Sequence, residues 1–382
     1  MNQSSAADSA RLFGCLFAAQ SSLLVLTPIL SAVATDLGVS PATAGQLRAM
    51  SGVAAALVAV GLVMSRRRWE LRGLLELGLG LLCVSASASV LAPSFATLAV
   101  AQIVLGAGVS LVLAGGLAAA GSWAPEGERA TLLSWAMVGA PSAWIAGMPV
   151  IGLLGGHSWR LAWLVPLTAS LVTLHAVSRR KRGMPEPAPT SVLRRSGVNR
   201  WAFGELLAYG GWSGVLVYVR GLLTDAHGAS PAATGVALGG GAIAYVVATF
   251  LARRWVARAA RQMLLAAGSA LAVSALFLGA VRPSFGVSVL LWAVTAFCAG
   301  VRMMVGSAAG LDLAGVGPLQ AMSVRAASMQ AGYLVGAVLG GVGLAVGGWT
   351  VVGVALAVPL LLAVGVTATD SEIPARVKVG AR

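Results

Sequence analysis

Ser40-Pro41-Ala42-Thr43-Ala44-Gly45 returns as Ser230-Pro231-Ala232-Ala233-Thr234-Gly235, 190 residues further along the chain. At the same offset Pro93-Ser94-Phe95 returns as Pro283-Ser284-Phe285, and Trp159, shortly after Gly156, returns as Trp349 after Gly348. Arg66-Arg67-Arg68-Trp69 recurs as Arg253-Arg254-Trp255 at an offset of about 187. Landmarks at one near-constant spacing read as a duplicated unit. They also make local sense. Ser40 and Ser230 suit a helix N-cap, and Pro41 and Pro231 suit the first helical position, where a missing N–H costs nothing. Trp159 and Trp349 each open a new apolar run, as aromatic anchors do at a membrane interface.

What lies between these landmarks is apolar. Of 382 residues 58% are hydrophobic and 49 are glycine, while only 10% are charged; soluble domains carry roughly 25%. Domains of this composition could not cover themselves in water, which excludes a soluble enzyme and makes lipid the solvent for the apolar faces. A span takes about 20 residues, and at roughly 32 per helix and connector the chain holds about twelve. The runs fall near 12–33, 44–64, 73–92, 96–120, 131–152, 160–178, 201–222, 233–252, 263–281, 286–309, 321–344 and 350–368. The first is too long for a signal-peptide core and is read as a retained span. The expectation is an all-α membrane protein of twelve transmembrane helices in two pseudo-symmetric six-helix bundles, residues 1–178 and 201–382, with a linker at 179–200. Six being even, both copies cross the membrane in the same sense.

Charge placement orients the chain. Of the 26 basic residues, only Arg48, Arg160, Arg220 and Arg282 lie at the face of the odd-numbered connectors, and Arg302 falls inside a span. The rest lie in the even-numbered connectors and at the two ends of the sequence. The positive-inside rule then puts both termini in the cytoplasm of a multi-pass cell-membrane protein. The basic excess is topological, so no nucleic-acid partner is expected. The dense run Arg179–Arg180–Lys181–Arg182 leads into a proline-rich stretch, Met184–Thr190, and reads as a linker anchored among lipid headgroups. Cys15, Cys83 and Cys298 form no CxxC pair, and His157, His175 and His227 are scattered, so neither a metal site nor a disulfide framework is signalled. GxxxxGK[ST] and HExxH are both missing from the sequence.

Small residues mark helix faces. Gly332, Gly336 and Gly340 recur every four residues, as do Gly139, Ala143 and Gly147, so each series lets a neighbouring backbone come close. Static packing and a sliding surface between halves both fit. Pro141 and Pro149 remove backbone donors inside the fifth span and predict a local irregularity there.

Gly139-Ala140-Pro141 through Gly147, followed by Gly155-Gly156-His157-Ser158-Trp159-Arg160-Leu161-Ala162-Trp163, resembles the fifth-helix antiporter motif and the GxxWRxxF-like start of helix six in the major facilitator superfamily. Trp292, then Pro318-Leu319-Gln320 and Arg325-Ala326-Ala327-Ser328-Met329, is similar to the tenth connector and the start of helix eleven. The resemblance covers about 12–368 and is to the twelve-helix drug and sugar efflux permeases of the arabinose type. The chain also departs from it. Where the family has GxxxDRxGR, Gly61 is followed by Ser65-Arg66-Arg67-Arg68-Trp69, without the aspartate or the second glycine. Gln102 precedes Gly106 where the family carries an arginine ahead of RxxxG. Two charge-based elements linked with gating and proton coupling are weakened.

Within spans, ionisable residues carry disproportionate information. Arg302 either snorkels to the cytoplasmic headgroups or projects inward as an anion-binding group, counter-charge or coupling element; the resemblance implies that its helix lines a cavity. Glu205 either stays hydrated near the inner end of span seven or carries protons, since a partly desolvated carboxylate binds a proton more readily. Asp312 and Glu76 rank behind it. Gln20, Gln102, Ser110, Trp144, Tyr209, Trp212 and Tyr245 either pack between helices or sketch a cavity for an amphipathic or aromatic organic solute. Gly61, Arg66, Arg67, Arg68, Gly139, Pro141 and Gly147 are the candidate gating and motif residues.

The resemblance implies alternating access driven by a proton gradient, with no bound cofactor or metal. The leading expectation is proton-coupled efflux of a small organic solute or drug by a functional monomer whose other partners are protons and membrane lipids. The alternatives are an importer or facilitator of a small metabolite, and a non-transporting membrane sensor or scaffold.

Overall fold

A computed structural model describes residues 3–65, 67–125, 127–184, 196–313 and 315–370. Arg66, the linker residues 185–195 and the basic residues beyond 370 lie outside this set. The described chain runs through α1 (Gln3–Leu24), α2 (Leu26–Asp36), α3 (Pro41–Met64), α4 (Leu71–Val90), α5 (Phe95–Ser122), α6 (Arg129–Ser142), a π turn (Ala143–Gly147) and α7 (Met148–His157). A 3₁₀ turn (Leu161–Trp163) leads to α8 (Leu164–Ser178), followed by α9 (Ser196–His227), α10 (Pro231–Ala252), α11 (Val256–Ala280), α12 (Phe285–Leu311) and α13 (Pro318–Thr369). Eleven of the described helical stretches are long and apolar enough to cross a membrane. The protein is therefore all-α and multi-spanning. Eleven differs from the expected twelve because the 52 residues of α13 count once, although the backbone leaves the helical conformation at Gly347 and Gly348, within the boundary placed at 344–350.

Serine side chains cap four of the helix starts. The hydroxyl of Ser40 accepts from the Thr43 N–H at 3.1 Å, and Ser230 does the same for Ala233 at 3.2 Å, each ahead of a proline at the first helical position. Ser94 and Ser284 repeat the cap at Thr97 and Val287, both at 3.3 Å. Such caps stabilise a helix by about 1 kcal/mol each. The break between α1 and α2 falls four residues before Pro28, whose ring clashes with the carbonyl of Leu24. Pro141 and Pro149 bracket the π turn, the irregularity their missing donors predict. In α13, Gly348 adopts φ +66°, a left-handed conformation that favours glycine.

The chain divides into two compact units, one of residues 1–190 with Gly317–Ala327 and one of Ser191–Val316 with Ser328–Arg382. In the first unit, Gly139 lies over the α1 backbone, where an added Cβ would stand 2.9 Å from the Phe17 nitrogen, and Gly147 faces the Phe17 ring. The fifth-span stripe thus packs on α1. Asp8 gathers the two ends of this unit's chain, accepting from Arg11 at 2.7 Å and from Arg180 at 3.1 Å, while the Arg180 guanidinium covers the Trp123 ring at 3.8 Å. In the second unit Gly332 and Gly336 bring α13 onto α9; a Cβ at Gly332 would meet the Leu206 carbonyl at 2.6 Å. Both stripes are close-packed contacts inside one unit.

Candidate transport site

Helix α9 presents Glu205, Tyr209 and Trp212 at i, i+4 and i+7, one stripe of its surface. On α12 the positions Trp292, Thr295, Ala299, Arg302 and Gly306 form another, and all five are buried. The stripes meet at a salt bridge: Arg302 Nη1 donates to Glu205 Oε1 at 2.5 Å, with 4% and 2% of the side-chain surfaces exposed. Room for it comes from Gly306, where a Cβ would stand 2.5 Å from Arg302 Nη1 and collide with the carboxylate. One turn on, Gly310 makes the same space for the Trp201 ring, whose Nε1 donates to the Gly306 carbonyl at 3.3 Å. A Cβ added at Gly268 of α11 would stand 4.0 Å from Arg302 Cδ and 2.9 Å from Val364 Cγ2 of α13.

This arrangement decides both open readings of location. Arg302 does not snorkel and Glu205 does not stay hydrated; each is the other's counter-charge. The pair is electrically neutral, and removing one partner from such a buried pair costs on the order of 3–5 kcal/mol because the remaining charge loses its opposite at ion-pair distance.

Two turns along α9 from Glu205, Trp212 is stacked between two rings. Its centroid lies 5.7 Å from Trp292, at an interplanar angle of 7°, and 5.9 Å from Tyr245, at 22°. The Trp292 indole is oriented by donating to the Ala237 carbonyl at 3.0 Å. Tyr209 meets Tyr333 at 6.3 Å. Offset ring stacks of this kind fix a rigid, polarisable wall.

Most of the remaining sequence candidates belong to the first unit. In the first unit the Gln102 amide nitrogen and the Ser110 hydroxyl are buried on α5 with no hydrogen-bond partner, Gln20 is half-buried on α1, and Trp144 sits in the π turn. Gly61, Arg67 and Arg68 are exposed, with the Arg67 guanidinium over the Trp69 ring at 4.6 Å; Arg66 lies outside the described residues. Glu76 is paired with Arg72 at 2.8 Å and Asp312 terminates α12, so neither shares the Glu205 environment. Arg325, counted with the inner-face cations, is almost wholly buried. Sequence reasoning missed Trp292 as a ring partner and Gly306 as the gap that admits the pair. A periodicity of 3.6 taken backward and forward from Arg302 would have found both. Among the described residues no cluster of three or more His, Cys, Asp or Glu could hold a metal.

A multi-spanning helical membrane protein with a charged pair buried between its helices has the form of a transport protein. Its sequence matches the Major Facilitator Superfamily over residues 12–200 and 201–380. The chain belongs to that superfamily and is a membrane transport protein, not an enzyme. Among curated protein sequences no match is found. Among solved structures it is similar to the human organic anion transporter MFSD10 (TETRAN), with 14% identity, a TM-score of 0.77, and 96% of this chain and 100% of that one covered. The Escherichia coli fucose:proton symporter FucP matches at 13% identity and TM-score 0.75, covering 96% and 98%. The proton:xylose symporter XylE matches at 14% and 0.77, covering 98% and 97%.

These comparisons correct the expectation of efflux. The similar structures are an organic anion transporter and two proton symporters, none titled an exporter. The physical reason lies in the motif on which export rested: Gly139 and Gly147 pack the fifth span against α1, a close helix contact that carries no transport direction. The expectation of a proton gradient as energy source agrees with the symporters among these structures.

Proposed function

We propose that the protein moves a small amphipathic organic solute across the membrane by alternating access, as a proton-coupled importer or as a facilitator. The observation that carries this is the Glu205–Arg302 pair. Protonating Glu205 would leave the Arg302 guanidinium without a counter-charge in a low-dielectric setting, which favours a different packing of α9 against α12. Proton binding and helix rearrangement are thereby linked through one bond. The Trp292–Trp212–Tyr245 stack on the same two helices and α10 supports an organic solute over a metal ion.

In this reading the 52 residues of α13 count as two spans. A straight helix of that length would run about 78 Å, against a hydrocarbon core of about 30 Å, and the non-helical Gly347–Gly348 pair is the place for the chain to turn. Twelve spans in two bundles then follow, and the placement of the basic residues supports cytoplasmic termini; a functional monomer completes the proposal.

The test is uptake by proteoliposomes. An inward proton gradient is expected to accelerate accumulation of an organic solute found by library screening, and Glu205→Gln to abolish accumulation while exchange down a gradient persists. Accumulation that survives collapse of the gradient in the parent protein would leave only the facilitator.

A further inference from the structure

Away from the ion pair, α1 and α8 leave a groove of about 360 Å³ on the first unit, lined by Phe13, Phe17, Val165, Thr168, Ala169 and Val172. Its floor is where the helices touch: a Cβ at Gly14 would stand 2.7 Å from the Thr173 hydroxyl. Phe13 and Phe17 stack along one wall, 6.1 Å between centroids. The Thr168 hydroxyl is already spent on the carbonyls of Leu164, at 2.6 Å, and Val165, at 3.0 Å. Hydrocarbon suits this lining better than a polar solute.

The groove is closed at one end and charged beyond it. Arg11 Nε donates to the Ala176 carbonyl at 2.9 Å, tying the two helices together one turn past Phe13 and Val172. Past that tie the stripe Val165, Thr168, Val172 continues along α8 as His175 and Arg179, both exposed, and Lys181 and Arg182 follow, also exposed. Arg11 and Arg180 are held by Asp8, so the outward-facing charge is that of Arg179, Lys181 and Arg182. An apolar groove along about two turns of α8, leading to a cationic rim, matches one kind of molecule in a bilayer.

We infer that this groove binds an anionic phospholipid, one acyl chain lying between α1 and α8 and the headgroup phosphate meeting His175, Arg179 and the Lys181–Arg182 run. The site requires only that the chain spans a membrane, and it stands whichever solute is carried. Two-sided contact along the chain distinguishes it from the ordinary lipid-facing surface, and the cations distinguish the headgroup.

The protein is reconstituted into nanodiscs of phosphatidylglycerol and phosphatidylcholine in equal parts, and lipids retained after detergent transfer are counted by native mass spectrometry. Retained phosphatidylglycerol is expected to exceed phosphatidylcholine. The triple variant Arg179→Gln, Lys181→Gln, Arg182→Gln should lower its retention on the order of fivefold per cation removed. Ala169→Phe, which fills the groove and leaves the charges in place, should abolish retention as well. A phosphatidylglycerol with a photoreactive acyl chain should label peptides containing Phe13–Phe17 or Val165–Val172 in the parent protein, a readout that needs no variant to fold. Equal retention of the two lipids, retention untouched by Ala169→Phe in a monodisperse sample, or labelling confined to other helices would each overturn the site.

Discussion

Glu205 and Arg302 stand 97 positions apart and share a 2.5 Å contact inside one unit. Removing one charge and removing both have different consequences. Glu205→Gln alone takes the carboxylate charge from the guanidinium and Arg302→Leu alone takes the cation from the carboxylate, each at a cost of about 3–5 kcal/mol, whereas replacing both with uncharged groups of similar volume is closer to neutral. Thermal denaturation in detergent should therefore place Glu205→Gln/Arg302→Met nearer to the parent than either Glu205→Gln or Arg302→Leu. The double variant should still fail to accumulate solute on a proton gradient. If it melts with or below the singles, the pair is not the electrostatic unit described. Arg302→Lys keeps the charge but loses the planar fork, and on this account it recovers stability only in part.

At the level of elements, the duplication extends to a contact that the repeated motifs do not reveal. Arg160, following Trp159, donates to the Ala92 carbonyl at 3.1 Å and to Asp36 at 2.7 Å, tying the chain before α8 to the α4–α5 connector and to the end of α2. The positions 190 residues on are Thr350 and Arg282, and Arg282 donates to the Thr350 hydroxyl at 3.4 Å. The same two places meet in both units, with the cation moved from one partner to the other. Moving it back should be tolerated. Arg282→Ala is expected to lower the denaturation midpoint, and Thr350→Arg added to it to restore much of the loss by re-creating the Arg160-to-Ala92 arrangement. Failure of the second substitution to help would show that only the fold, and not this contact, is repeated.

For the whole molecule, the proposed twelve spans require every second connector to share one side of the membrane. Cysteines introduced at Arg67 and Arg254 should react with an impermeant reagent from the same side, and one at Arg160 from the opposite side. Arg67 and Arg254 on opposite sides would remove the duplicated six-span architecture.

Much of this was legible in the chain alone, for a definable reason. Membrane class follows from composition, the caps at Ser40 and Ser230 and the irregularity at Pro141 and Pro149 follow from local backbone chemistry, and the repeat follows from counting; none depends on which helix neighbours which. The partner of Arg302 did depend on that. An apolar helix in lipid carries little amphipathic pattern to say how it is rotated, so Glu205 and Arg302 were each recognisable as costly and neither could be assigned to the other. The Trp292–Trp212–Tyr245 stack and the groove between α1 and α8 were hidden for the same reason: rotation and neighbour are settled only when gaps such as Gly306 and Gly14 admit particular side chains from the facing helix, which is a property of the packed structure.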